Sequence, residues 1–213
     1  MPGQTLAQKI IARAAGLPSV REGDLVVGKV DLAMMHDSGG PRRVAAMLAE
    51  LNATPWDPAR IVVVTDHFVP AVDIASANIL KLTRDWVRVN RVDRFHDMQG
   101  ICHVVLAEHG YIRPGMFAVG GDSHSPTGGA FGAFMFGIGA TEMAGVLATG
   151  EIWTKVPLTH LIRWQGRLGA AVSAKDMMLA TLKKLGLNTL NYGVAQYAGD
   201  AVGALSMPER MVL

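Results

Sequence analysis

Unbroken apolar runs and helix-spaced apolar positions alternate along most of this chain. Residues 61–65, Ile-Val-Val-Val-Thr, are a short continuous run, the pattern of a strand covered on both faces in a parallel sheet, and Met116-Phe-Ala-Val119 is a second. Residues 24–31 are rich in β-branched side chains and predict a strand or a short pair of strands. Helices are predicted between these runs. Residues 5–15 open on an N-cap candidate, Thr5, continue in good helix formers and stop at Gly16. Pro41 suits the first turn of a helix whose Val44, Met47, Leu48 and Leu51 share one face. Further helices are expected over 72–87, 100–108 and 141–149, the last ending at Gly150. Strand-like stretches follow at 151–156 and 159–164, and Ser173-Ala-Lys-Asp176 resembles a capping box, with Asp in place of Glu, for a helix ending at Gly186. This succession predicts an α/β fold with a largely parallel sheet, in one domain over 1–213.

The polar residues at the ends of those strands carry the chemistry. The run at 61–65 ends in Asp66-His67, and the run at 116–119 ends in Gly120-Gly121-Asp122-Ser123-His124. Open parallel sheets bind ligands outside the carboxyl ends of their strands, so both groups stand where a site is expected. His36-Asp37 follows the strand-like stretch 24–35, and His103 lies in an apolar segment. Imidazole beside carboxylate supplies general acids, general bases and metal ligands. Any one of these residues alone reads as a turn former, a helix cap or a core histidine. Two buried strands that each end in an Asp and a His are harder to explain by packing. His96, His109 and His160 are assigned structural or surface roles, and Cys102, in Gly-Ile-Cys-His-Val-Val-Leu, a packing role.

Gly128, Gly129, Gly132, Gly137 and Gly139 follow the second group. Glycines in such number serve positive φ, close backbone packing or close approach to a ligand. Their spacing matches neither the P-loop nor the dinucleotide fingerprint.

Composition narrows the classes. Half of the residues are hydrophobic and 18% are charged, enough to bury a substantial core. The formal charge is only +2 with no basic block, so nothing points to nucleic acid or to an anionic membrane. No apolar run approaches a membrane span and no signal-peptide core is visible, which makes the cytoplasm the default location. A single cysteine excludes an internal disulfide and any metal site built from several cysteines of this chain.

Residues 122–142, Asp-Ser-His-Ser-Pro-Thr-Gly-Gly-Ala-Phe-Gly-Ala-Phe-Met-Phe-Gly-Ile-Gly-Ala-Thr-Glu, with Val-Leu-Ala-Thr-Gly at 146–150, resemble the signature segment of the aconitase superfamily. Within it they are most similar to the large subunits of 3-isopropylmalate dehydratase and homoaconitase. Val-Thr-Asp-His at 64–67, Gly-Ile-Cys-His at 100–103 and Ser-Met-Pro-Glu-Arg-Met at 206–211 fall in family order, so the resemblance covers essentially the whole chain. It implies a three-layer αβα domain and a hydro-lyase that removes and re-adds water on a hydroxy di- or tricarboxylic acid. The acid would be of the 3-isopropylmalate, homoaconitate or methylmalate type, with a [4Fe-4S] cluster as Lewis acid. Carried over by motif, Asp66 and His67 form an acid pair near the leaving hydroxyl. His103, Asp122 and His124 line the cluster and substrate cavity, Ser123 is a polar contact, and His36 is a candidate for substrate contact.

The chain departs from that pattern in its cysteines: the three cluster ligands and the swivelling domain's catalytic serine are absent, and Cys102 alone does not hold a cubane. The resemblance therefore implies the N-terminal half of a large subunit, binding no cluster by itself, inactive alone, with the remainder of that subunit and a small swivelling-domain subunit as partners. Two other readings stand beside it. One is a mononuclear zinc or manganese hydrolase using His67, His103, His124 and Asp122, although no His-Glu-x-x-His spacing is present. The other is a non-catalytic, cluster-free relative that binds a partner, RNA being disfavoured by the lack of a basic stripe with interleaved aromatics.

Overall fold

The computed structural model describes residues 3–213. Helix α1 (Leu6–Ala14) begins on a capping box between Thr5 and Gln8. Strands β1 (Leu25–Lys29) and β2 (Leu32–His36) follow, then α2 (Pro41–Glu50) with its proline in the first turn, and β3 (Ile61–Thr65). Helix α3 (Ile74–Asn90) is capped by Asp73 and ends where Arg91 turns left-handed at φ 55°. Next come β4 (Arg94–Asp97), α4 (Cys102–Glu108), β5 (Phe117–Gly120), a 3-10 segment (Ser125–Phe131) and β6 (Phe134–Gly137). After α5 (Ala140–Thr149) the chain runs through β7 (Glu151–Lys155), β8 (Thr159–Arg163), α6 (Ala174–Leu185), β9 (Val194–Ala198), α7 (Asp200–Gly203) and α8 (Met207–Val212). The Ser173/Asp176 capping box forms as expected.

Five parallel strands make the central sheet, in the order β4-β3-β2-β5-β6. The chain winds outward from β2 through β3 to β4, then returns to the other side of β2 with β5 and β6. The winding reverses between β2 and β5, and the carboxyl ends of those two strands splay around a crevice. Period-two alternation divides the strand side chains between two cores. Ala33, Met35, Ile61, Val63, Phe117 and Val119 face α1, α2, α3 and α5. Leu32, Met34, Val62, Val64 and Ala118 face Cys102, Val105 and Leu106 of α4. The result is the expected αβα layering.

Two smaller sheets lie outside the central one: β1 pairs antiparallel with β7, and β8 pairs parallel with β9. Helices α6 and α7 and the segment around Leu205 share a separate small core of Ala174, Met177, Ala201 and Leu205. No helix among the described residues is long and apolar enough to cross a membrane.

Candidate active site

Three strand ends and one helix meet at the crevice. His36 closes β2 and Asp37 follows it, Asp66-His67 follows β3, Asp122-Ser123-His124 follows β5, and His103 stands in the first turn of α4. Asp37 is fully buried. Its Oδ1 accepts the amides of Asp66 and His67 at 3.3 and 3.0 Å, and its Oδ2 accepts the Phe68 amide at 2.8 Å. One carboxylate thus sets the backbone of the whole turn that presents His67. Asp66 in turn bridges two elements: Oδ1 lies 2.7 Å from His67 Nδ1, and Oδ2 accepts the Cys102 amide at 2.7 Å. The second bond ties the end of β3 to the helix that carries His103.

The His67 ring stacks on His36, with centroids 3.8 Å apart and planes 10° from parallel. His36 Nε2 donates to the Gly121 carbonyl at 2.9 Å, and Nδ1 accepts the Gly39 amide at 3.3 Å. A carbonyl can only accept and an amide N–H can only donate, so the two bonds together fix the neutral Nε2–H tautomer. Burial, and then the neighbouring His67, push the His36 pKa below its ordinary value despite Asp66, Asp122 and the Gly121 bond.

Asp122 is the hub. Its Oδ1 lies 2.8 Å from His103 Nε2, accepts the His124 amide at 2.7 Å and lies 3.1 Å from His124 Nδ1. Its Oδ2 faces His36 Nε2 at 3.7 Å and His67 Nε2 at 3.8 Å. Burial opposes ionisation of this carboxyl, but the bonds from the His124 amide, His103 and the His124 ring outweigh it and hold Asp122 well below the usual carboxylate range. Exposure is graded outward: the side chains of His36 and Asp66 are 5% and 7% exposed, those of His67 and His124 38% and 79%. Fixed carboxylates lie inside and free imidazole edges face the opening.

All the residues singled out from sequence converge here. Ser123 is exposed, with Oγ 3.4 Å from His124 Nδ1. Sequence reasoning missed Ser125, which is fully buried and donates to the Asp122 carbonyl at 2.7 Å. The signal for it is Pro126, which marks the start of the 3-10 segment that Ser125 opens. The glycines around the site admit close neighbours: a Cβ on Gly120 would stand 2.0 Å from the Ser125 side-chain Oγ, and one on Gly137 2.5 Å from the Asp122 carbonyl oxygen. Gly128 makes room for Met135, whereas nothing lies within 4 Å of a Cβ on Gly129.

Among the described residues, two groups place their metal-ligand atoms within 4.8 Å of one another inside each group: His36, Asp37, Asp66 and His67, and separately His103, Asp122 and His124. In the first set both Asp37 oxygens and both His36 nitrogens are already engaged within the chain. An iron–sulfur cluster does not fit the residues present. Cys102 is the only cysteine and is 1% exposed, and burial first, then Asp66, push its thiol pKa far up, away from the thiolate a cluster needs.

The model of the aconitase family (aconitate hydratase) matches residues 8–213. The chain is 42% identical over 212 residues to the 3-isopropylmalate dehydratase large subunit 1 of Methanopyrus kandleri, covering 99% of this chain and 50% of that protein. It is 42% identical over 210 residues to the methanogen homoaconitase large subunit of Methanocaldococcus jannaschii, covering 98% of this chain and 49% of that one. A 3-isopropylmalate dehydratase large subunit from Moorella thermoacetica is 39% identical, over 99% of this chain and 51% of its own. The chain spans about half the length of these curated relatives. With a match that runs from the first helix to Leu213 and takes in every strand end of the crevice, this chain belongs to the aconitase family.

Proposed function

We propose that the crevice is the acid–base wall of a hydro-lyase site acting on a hydroxy di- or tricarboxylic acid of the 3-isopropylmalate, homoaconitate or methylmalate type. The observation that carries this reading is the pairing of Asp66 with His67 Nδ1, which leaves His67 Nε2 as the ring atom facing the crevice. Dehydration breaks a C–O bond and a neighbouring C–H bond, and hydroxide departs readily only when it is given a proton. Protonated His67 supplies that proton from Nε2 and returns to the neutral ring, while Asp66 stabilises the imidazolium before transfer. In hydration the same atom takes the proton back.

Asp122 holds His103 and His124 in place and fixes which ring nitrogen each presents. His124, the most exposed of the four imidazoles, meets a substrate carboxylate together with Ser123. His36, buried with both nitrogens engaged, supports His67 by stacking rather than making the substrate contact expected from sequence. No residue here is assigned to the C–H proton. That base, and the cysteines of a [4Fe-4S] cluster, come from outside this chain: from the rest of a large subunit and from a small subunit.

The test is to purify the assembly containing this chain anaerobically from its native host, and to assay it beside the isolated chain for interconversion of the hydroxy acid and its unsaturated product. The expected result is turnover by the assembly, with iron and acid-labile sulfide present, and none by the chain alone. His67→Ala in the assembly should lower kcat by about 10²-fold or more. Turnover by the isolated chain, or one equivalent of zinc per chain in place of iron, overturns the proposal.

A further inference from the structure

A second polar cleft, of about 530 Å³, opens at the opposite end of the central sheet. Its residues stand at the amino ends of the strands: Asp31 precedes β2, Arg60 precedes β3, Arg94 begins β4 and Met116 precedes β5. A strand of four or five residues spans about 15 Å, so this cleft is separate from the histidine crevice. Its lining carries four guanidiniums, Arg13, Arg60, Arg94 and Arg113, and one carboxylate, Asp31.

That carboxylate is already occupied. Asp31 Oδ2 accepts the Phe117 amide at 2.8 Å and also the Arg13 guanidinium, and its Oδ1 is 3.9 Å from Arg60 Nη1. Arg60 has a second partner beside the cleft, Asp57, at 3.2 Å. Arg94 and Arg113 have no carboxylate partner among the described residues, yet neither is loose. Arg94 lies over the Tyr111 ring at 5.0 Å, and Arg113 Nε donates to the Gly110 carbonyl at 3.0 Å. Each keeps its remaining N–H donors for something else. With Arg13 and Arg60 paired, Arg94 and Arg113 leave positive charge in the cleft that its own carboxylates do not compensate and that an incoming anion would. Guanidinium forks match the oxygens of phosphate and carboxylate in pairs.

We propose that this cleft binds a small polyanion, a metabolite carrying two or more phosphate or carboxylate groups, at a site distinct from the histidine crevice. The proposal stands independently of the hydro-lyase reading. Isothermal titration of the full chain with pyrophosphate and, separately, with citrate, each at ionic strength matched with sodium chloride, distinguishes the two chemical sources. The expected result is one equivalent bound in at least one arm, with affinity falling at least tenfold in Arg113→Gln, an exposed position that leaves the fold undisturbed. Arg94→Lys keeps the charge and loses the planar fork, and should also weaken binding severalfold. No heat beyond the chloride control in either arm overturns the proposal. So does binding whose affinity is the same in both variants, since the anion then sits elsewhere.

Discussion

At the carboxyl ends of β2, β3 and β5, Asp37 and Asp122 each gather several N–H donors from the chain itself, whereas at the amino ends of the same strands Asp31 shares a cleft with four guanidiniums and meets two of them. The first end is electrostatically complete: backbone amides and imidazoles satisfy its carboxylates, and their geometry is set by the chain itself. The second end has more cation than its own carboxylates compensate. One sheet therefore presents a fixed array of carboxylates and imidazoles on one side and an underpaired basic cleft on the other. Substitutions at the first end should cost stability and geometry, and at the second end mainly affinity for anions.

The largest effect is expected at Asp37. Asp37→Ala leaves the amides of Asp66, His67 and Phe68 without their acceptor, a cost of about 3 kcal/mol in urea unfolding. The matching change at the other end, Asp31→Ala, removes one amide bond and partners of two half-exposed arginines, and should cost about 1 kcal/mol. Equal losses at the two positions would erase the distinction drawn between the ends.

Gly120→Ala comes next. The new methyl carbon would overlap Ser125 Oγ at 2.0 Å and crowd its Cβ at 2.9 Å, displacing the turn that carries Asp122, at about 2 kcal/mol. Gly129→Ala meets nothing within 4 Å and should change stability by no more than about 0.5 kcal/mol. Thermal melts of the two variants decide whether the glycines near Asp122 serve backbone packing, and equal shifts would say they do not.

How much of this was legible in the sequence follows from where each residue lies in the sheet. β3 and β5 are central strands covered on both faces, so Ile61–Thr65 and Phe117–Gly120 are unbroken apolar runs, and the Asp-His groups after them stand out. The edge strands were missed. β4, Arg-Phe-His-Asp, is mostly polar because its side chains are only partly covered, and β6, Phe134–Gly137, lies within the glycine-rich stretch. The stack of His36 on His67 and the convergence of four imidazoles on Asp122 depend on β5 lying beside β2, which no local pattern encodes. The arginine cleft was invisible for the same reason. Arg13, Arg60, Arg94 and Arg113 are scattered through the chain and form no basic block, and only the tertiary fold brings them to one end of the sheet. His96, given a structural role from sequence, is buried and lies 2.9 and 3.0 Å from Gln99 Oε1 and the Tyr111 hydroxyl.

Acid acts on the carboxyl end through two of its groups. His36 has a folded-state pKa below its ordinary value, so unfolded chains take up a proton that folded ones refuse. Its stabilising contribution is complete above about pH 6.5 and is lost as pH falls toward the folded value. Asp122, also depressed, adds a second loss as pH falls below the ordinary carboxylate range. Neither group can add more than one proton's worth of slope, about 1.4 kcal/mol per pH unit. His36→Gln should remove the loss that begins near pH 6.5 and leave the one at lower pH. An unchanged profile between pH 5 and 6.5 would show that His36 is not held neutral.

The smallest effect belongs to the basic cleft. Arg113 is exposed and holds a single bond, to the Gly110 carbonyl, so Arg113→Gln should change stability by less than about 0.5 kcal/mol. Its sign carries the information. If the four guanidiniums repel one another, removing one charge stabilises the fold at low ionic strength, and the gain disappears as salt shortens the Debye length from about 30 Å at 0.01 M to about 3 Å at 1 M. Pyrophosphate or citrate should likewise abolish the gain by neutralising the cleft in the wild type. A loss of stability that ignores both salt and anion would mean that Arg113 is held by its bond to Gly110 alone, and that the amino end of the sheet is as complete as the carboxyl end.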